Sequence, residues 1–229
     1  MVNSITGSER VHGVTEAGNY DHLIRYIVPG HPQLISSILD YLPDDPECVL
    51  ELGCGTGIIT EMILEKSPDA KISGIDLSRE MLRIASEKPA LRNVNFIEGD
   101  LRGPWPARPH DAVVSALCLH HVSADERAAV VKRVFEALSP GGRFICGDVF
   151  VGRSEWEEQL FTARWLRGMK QAGMPDDVVA GMDAARNERR SELRPISWFY
   201  NVLEKAGFDR VTIPFTCGFV GLVVGFVPD

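Results

Sequence analysis

The sequence predicts an α/β fold, a parallel sheet covered by helices on both faces, on three observations. Between residues 48 and 151, short apolar β-forming runs alternate with segments of helical periodicity. The first run, Val49-Leu50-Glu51-Leu52, passes into Gly53-Cys54-Gly55-Thr56-Gly57 and then into a helical pattern. The chain closes on two more β-forming runs joined by a short turn containing Gly218, which adds one antiparallel strand. At 229 residues, with 45% hydrophobic and 24% charged content, there is material for one well-buried α/β domain and hardly for two.

Each element has a local reason. Residues 1–14 are polar, carry no hydrophobic signal core and read as a loose tail. A helix over 15–28 carries Leu23, Ile24 and Ile27 and stops at Pro29-Gly30. A second, over 32–42, sets Leu34, Ile35, Ile38 and Leu39 on one face before Pro43-Asp44-Asp45-Pro46 breaks the chain. Strands follow at 48–52, 71–76, 94–98, 111–117 and 143–149, with helices at 57–66, 79–87 and 124–138 between them. Ser123 and Glu126 stand at capping-box spacing before the last of these helices, and Ser139-Pro140-Gly141-Gly142 ends it. Alternation then gives way to a helical segment, 154–190, opened by Ser154 and Glu157 and broken at Gly173-Met174-Pro175. Trp156, Leu160, Phe161, Trp165, Leu166 and Met169 predict a wide buried face there. A helix over 196–206 ends at Gly207, and strands at 210–216 and 219–226 close the chain.

The glycine loop lets a ligand approach backbone N–H groups at a helix N-terminus. It lacks the G-x-G-x-x-G of a dinucleotide site, because position 58 is Ile58, and the chain has no G-K-[ST]. The second strand ends in Asp76-Leu77, about 20 residues past the loop, where a carboxylate accepts hydrogen bonds from both hydroxyls of a ribose. The third ends in Glu98-Gly99-Asp100-Leu101, an acidic group placed to meet an adenine amino group, with Met81 set to lie on the adenine face. Glu51 is a carboxylate in an apolar run, costly unless paired.

With these stations in place, residues 48–150 resemble a class I S-adenosylmethionine (SAM)-dependent methyltransferase. The resemblance implies a Rossmann-like doubly wound sheet of seven strands in the order 3-2-1-4-5-7-6, strand 7 antiparallel. Around it lie a helical lid at 15–45 and a helical insert at 154–190, in one domain of residues 15–229. It implies that Gly53, Cys54, Gly55 and Gly57, with Glu51, wrap the methionine half of SAM. Asp76 and Leu77 would hold the ribose, and Asp100 with Leu101 the adenine; the product would be S-adenosylhomocysteine. Ile24-Arg25, Val28-Pro29-Gly30 and Lys205-Ala206-Gly207-Phe208 also resemble the carboxy-SAM synthase group and its archaeal relatives described as tRNA wobble-uridine methyltransferases. That synthase makes carboxy-SAM from SAM and prephenate. It has a tyrosine where this chain has His31 and an asparagine where Ala116 aligns, and its carboxylate-binding arginine aligns with Arg186. Methyl transfer to a small molecule is therefore the expectation, carboxy-SAM synthesis the alternative, and a non-catalytic SAM-binding partner protein the third reading.

The lid implied by the resemblance carries Tyr20, His22 and Arg25, the last placed to neutralise the SAM carboxylate. His120-His121 follows the fourth strand at the ligand-binding edge of the sheet; a general base, here His121, competes with a helix-entry histidine held by backbone. His120 is the substrate-side neighbour. Asp148, ending the fifth strand, orients an acceptor or is absorbed by a hydrogen-bond network. Arg186, Arg189 and Arg190 beside Glu188 and Glu192 read as a solvated, ion-paired face, with Arg186 holding an anionic substrate as the sharper option. Trp156, Phe161 and Trp165 read as core or homodimer contact.

Composition narrows the partners. A net charge of −8 and a pI near 5.3 argue against a nucleic-acid surface. No apolar stretch is long enough to span a bilayer, and five dispersed cysteines without a C-x-x-C pair read as reduced thiols of a cytoplasmic protein. No third His or Cys stands at metal-ligand spacing beside the histidine pair.

Overall fold

A computed structural model describes residues 20–107 and 109–229. The expected tail at 1–14 and the first five residues of the expected lid helix lie outside the described residues. The elements are α1 (Tyr20–Ile27), α2 (His31–Asp40), β1 (Cys48–Leu52), α3 (Ile58–Lys66), β2 (Lys71–Asp76) and α4 (Arg79–Glu87), then β3 (Asn95–Glu98) and β4 (His110–Ala116). After them come α5 (Ala124–Ala137), β5 (Leu138–Val149), α6 (Glu155–Gln171), α7 (Asp176–Arg189), α8 (Ile196–Ala206), β6 (Arg210–Cys217) and β7 (Val220–Phe226). Short 3₁₀ turns at Pro89–Leu91 and Leu119–His121 were not signalled by the apolar periodicity.

The seven strands run β3-β2-β1-β4-β5-β7-β6, and β7 pairs antiparallel to both neighbours. Strand periodicity sorts side chains onto two cores. Val49, Ile72, Val114 and Ile145 face α2 and α3, while Leu50, Ile75, Val113 and Phe144 face α5 and α8. Glu51 belongs to the Val49 face by the same alternation, which points it at α3.

Local chemistry sets the ends. Gly57 and Gly30 precede α3 and α2 with φ of 78° and 65°, and Gly207 follows α8 with φ of 116°. Ser123 and Glu126 form the full capping box of α5. Ser154 accepts the Glu157 N–H, but the Glu157 carboxylate reaches back to the backbone and guanidinium of Arg153, so only half of the second box forms.

Three expectations are corrected. Ser139 to Gly142 does not separate helix from strand: β5 starts at Leu138, pairs with His110, and absorbs the segment as a bulge before Arg143 pairs with Ala112. The buried face of α6 is narrower than the pattern, since Trp156 is 71% and Leu160 46% exposed while Trp165 and Met169 are buried. Its buried stripe includes Glu158 instead, 3% exposed. The arginines of α7 do not form a solvated face, because Arg186 is buried and Arg189 half-buried. Among the described residues no helix is long and apolar enough to cross a membrane.

Candidate functional site

The β1–α3 loop lies at the carboxyl edge of the sheet, where open α/β sheets bind ligands. Gly53, Gly55 and Gly57 have φ of 75°, 52° and 78°, a region that side chains disfavour. Gly53 also leaves no room, since a Cβ on it would stand 2.1 Å from the Cys118 sulfur. Gly55 has nothing within 4 Å of such a Cβ and faces open space. Its N–H donates to Asp76 Oδ2 at 2.8 Å, and Ser78 N–H donates to Oδ1 at 2.8 Å. These two bonds fix the carboxylate and leave it lone pairs for further hydroxyl donors. Gly53→Ala is expected to distort this loop and abolish binding of S-adenosylhomocysteine by calorimetry; wild-type affinity in that variant would refute the reading of the loop.

Two cavities share Gly53 of the loop, and a third lies beside them. The first, about 430 Å³, is lined by Tyr20, His31, Glu51, Gly53, Cys54, Gly55 and Ala116. Its deep acidic group is Glu51, 2% exposed, whose Oε2 accepts the Thr60 hydroxyl at 2.5 Å. Burial raises the Glu51 carboxyl to about 8, with the Thr60 hydrogen bond opposing the shift. Unfolded chains ionise this group near 4.5, so between those values the folded state holds the extra proton and stability falls as pH rises. The loss approaches about 1.4 kcal/mol per pH unit. Glu51→Gln should remove that slope from the pH dependence of thermal unfolding; parallel profiles for the two proteins would contradict it. Tyr20 stays a phenol, because burial and then Asp76 push its ionisation up. Burial lowers His31, reinforced by the Arg25 charge, while Arg25 itself is exposed and outside the lining. Asp21 ties α1 to the loop and to the chain after α4, accepting Thr56 Oγ1 at 2.5 Å and pairing with Lys88 at 3.1 Å.

The second cavity, about 650 Å³, is lined by Asp76, Leu77, Asp100, Leu101, Arg102, Cys118, His121 and Arg189 among others. Leu77 is 59% exposed and, with Leu101, offers an apolar wall. Met81 does not: it is 2% exposed, on the face of α4 that packs inward with Leu82 and Ala85. Arg102 folds back on Asp100, its Nε 2.9 Å from Oδ1, and its hydrogen bonds hold the Asp100 carboxyl below the usual range. Sequence reasoning missed Arg102, though it directly follows the strand-end acid.

The third cavity, about 890 Å³, is mostly apolar, with Ile24, Ile27, Trp165, Met182, Leu193 and Phe219 in its walls. It shares Tyr20, Ile24 and Leu117 with the lining of the first cavity and His121 and Arg189 with that of the second. Leu117 is the one described non-glycine residue with positive φ, 53°, a strained backbone at this junction. His120 lines the third cavity alone. Asp148, 3% exposed, accepts its backbone N–H at 2.8 Å and contacts its Nδ1 at 2.5 Å. Asp148 is thus engaged by a histidine and by the Val149 N–H. Arg186 forms part of the wall, but its guanidinium is committed to Glu158 at 2.7 Å, to the Phe150 carbonyl at 3.0 Å and to the Phe219 ring.

A family model described as a methyltransferase domain matches residues 49–142. The chain is 32% identical over 160 residues to an uncharacterized methyltransferase of Geobacillus kaustophilus, covering 69% of this chain and 71% of that one. It is 33% identical over 183 residues to a trans-aconitate 2-methyltransferase of Pseudomonas aeruginosa, covering 80% of this chain and 60% of that protein. Among solved structures, an O-methyltransferase family protein from Burkholderia thailandensis superposes with a TM-score of 0.69 at 20% identity, over 97% of this chain. The chain spans 62% of that structure's length.

Proposed function

This chain belongs to the class I SAM-dependent methyltransferases, and we propose that it methylates a small, largely apolar acceptor whose nucleophile gives its proton to His120. One observation carries the reading: an apolar cavity with the Asp148-held His120 in its wall lies beside the glycine-loop cleft and shares Tyr20, Ile24 and Leu117 with it. SAM, when bound, supplies a methyl group on a sulfonium and leaves as S-adenosylhomocysteine. Asp76 and Leu77 would hold its ribose, Asp100 and Leu101 its adenine, and Gly53, Cys54, Gly55 and Glu51 its methionine half. His31, Ala116 and Tyr20 close that half, and Arg25 would reach it only from the rim.

The chain's own groups do the rest. Ile27, Trp165 and Phe219 exclude water around the acceptor, and the junction residues aim its nucleophile at the cleft. Asp148 fixes the tautomer of His120 with the proton on Nδ1, so that Nε2 can accept the acceptor's proton. This gives the base role to His120 and an orienting role to Asp148, while His121 lines the seam between the second and third cavities. The trans-aconitate methyltransferases among the relatives act on a small molecule by name, which supports this reading. Carboxy-SAM synthesis draws no support from Arg186, which Glu158 already neutralises. A homodimer through the insert would use Trp156 and Leu160 as its exposed apolar contacts.

Labelled SAM incubated with the purified protein and a metabolite extract should yield one labelled small molecule. Asp76→Ala should abolish both labelling and SAM binding. Carboxy-SAM among ligands released from the purified protein would replace methyl transfer with the synthase reading.

A further inference from the structure

Among the described residues Arg189 is a cation of this site without a carboxylate in ion-pair contact. It lines both the apolar cavity and the second cavity, so it stands on the seam between acceptor and cofactor cleft. One terminal nitrogen donates to the His120 carbonyl at 2.7 Å, which anchors the guanidinium beside the proposed base. Its Nε is buried without a hydrogen-bond partner, and Arg189 makes no ion pair among the described residues. Its two arginine neighbours differ in this respect: Arg186 is paired with Glu158 and Arg190 with Glu155. Burial, and then the Arg127 charge, weaken the hold of Arg189 on its proton, while Asp148 and Glu192 oppose this only from a distance. A half-buried guanidinium with a free donor is costly to keep and is satisfied by an anion arriving from the cavity.

We propose that the acceptor carries an anionic group, a carboxylate in the first instance, that docks on Arg189 while its apolar body fills the cavity beside Trp165. The proposal rests on the apolar-acceptor reading above and adds the charge. Arg189 serves as a specificity residue: it selects the acceptor, and its planar fork sets where the nucleophile sits relative to His120. Methyl transfer itself balances without it, the nucleophile–carbon bond forming as the carbon–sulfur bond breaks and the proton passing to His120.

The test uses the full chain saturated with S-adenosylhomocysteine and matched acid and amide probes: benzoate and benzamide, phenylacetate and phenylacetamide, hexanoate and hexanamide. Quenching of tryptophan fluorescence, to which cavity-lining Trp165 contributes, reads binding. At least one acid should bind about ten- to a hundredfold more tightly than its amide, as for a charge-assisted hydrogen bond. Arg189→Gln should erase the preference while amide binding stays within about twofold, and Arg189→Lys should restore part of it, a point charge in place of the fork. No acid tighter than its amide in the wild-type protein overturns the proposal without recourse to any variant, as does a preference that survives Arg189→Gln. Equal binding of acids and amides leaves the apolar acceptor standing, whereas failure of both series removes that reading too.

Discussion

Replacing His120 by Gln is expected to lower kcat/KM for the acceptor by about 10²- to 10⁴-fold, the usual contribution of a positioned general base. The same variant should bind S-adenosylhomocysteine normally, because His120 lines the apolar cavity and not the two that form the cleft. Asp148→Asn should cost a comparable factor for a different reason. The aspartate accepts from the ring Nδ1 and from two backbone N–H groups. Oδ1 faces the ring and the Val149 N–H and Oδ2 faces the His120 N–H, so an amide must set its NH₂ against a backbone donor whichever way it turns. In the Oδ1 place the NH₂ also donates to the ring and moves the imidazole proton onto Nε2, the atom meant to accept one; in the Oδ2 place it opposes the His120 N–H that positions the ring. Full activity in His120→Gln would place proton removal elsewhere, on solvent or on an acceptor already ionised.

The parts of this site that could be read from sequence are those where backbone conformation dictates residue type. Three glycines at alternate positions imply positive φ, and all three have it. Asp76 and Asp100 were placed because strand ends are fixed by where apolar alternation stops, and α8 ends at the Gly207 expected to close it. What stayed illegible depends on which face of a helix meets a neighbour. Apolar periodicity in α6 assigned Trp156 and Leu160 inward, yet the stripe that packs holds Glu158, because a buried arginine on α7 waits for it. Arg127, 1% exposed, sits on the apolar side of α5 since its guanidinium caps the Leu119 and Val122 carbonyls of a 3₁₀ turn. The His120–Asp148 contact joins residues 28 apart in sequence through the pairing of β4 with β5. Two acid- or base-bearing strand ends on adjacent parallel strands were a usable signal for it. Nothing comparable separates Arg189 from Arg186, three residues away, where one is neutralised and the other is not.

That distinction makes Glu158 the most consequential structural residue outside the sheet. Its side chain is 4% exposed and faces the 6% exposed guanidinium of Arg186 at 2.7 Å. The second carboxylate oxygen accepts the Gly152 N–H at 2.7 Å, where a Cβ on Gly152 would stand 2.5 Å from the Glu158 nitrogen. The pair therefore joins α6 to α7 and pins the chain as it leaves β5, directly under the wall of the apolar cavity. Glu158→Ala leaves a buried guanidinium without a counter-charge, and the expected loss is about 3–5 kcal/mol, as for other broken buried pairs. For a chain of this size that lowers the melting temperature by roughly 6–20 °C. Arg186→Met in the same background should restore most of the loss, because a buried pair exchanged for apolar volume is close to neutral. The double variant should also keep the acid-over-amide preference set by Arg189, whereas a substrate role for Arg186 would erase it. A Glu158→Ala protein that melts within a degree or two of wild type would show that solvent reaches the pair, and the wall built on it would then be softer than its geometry implies.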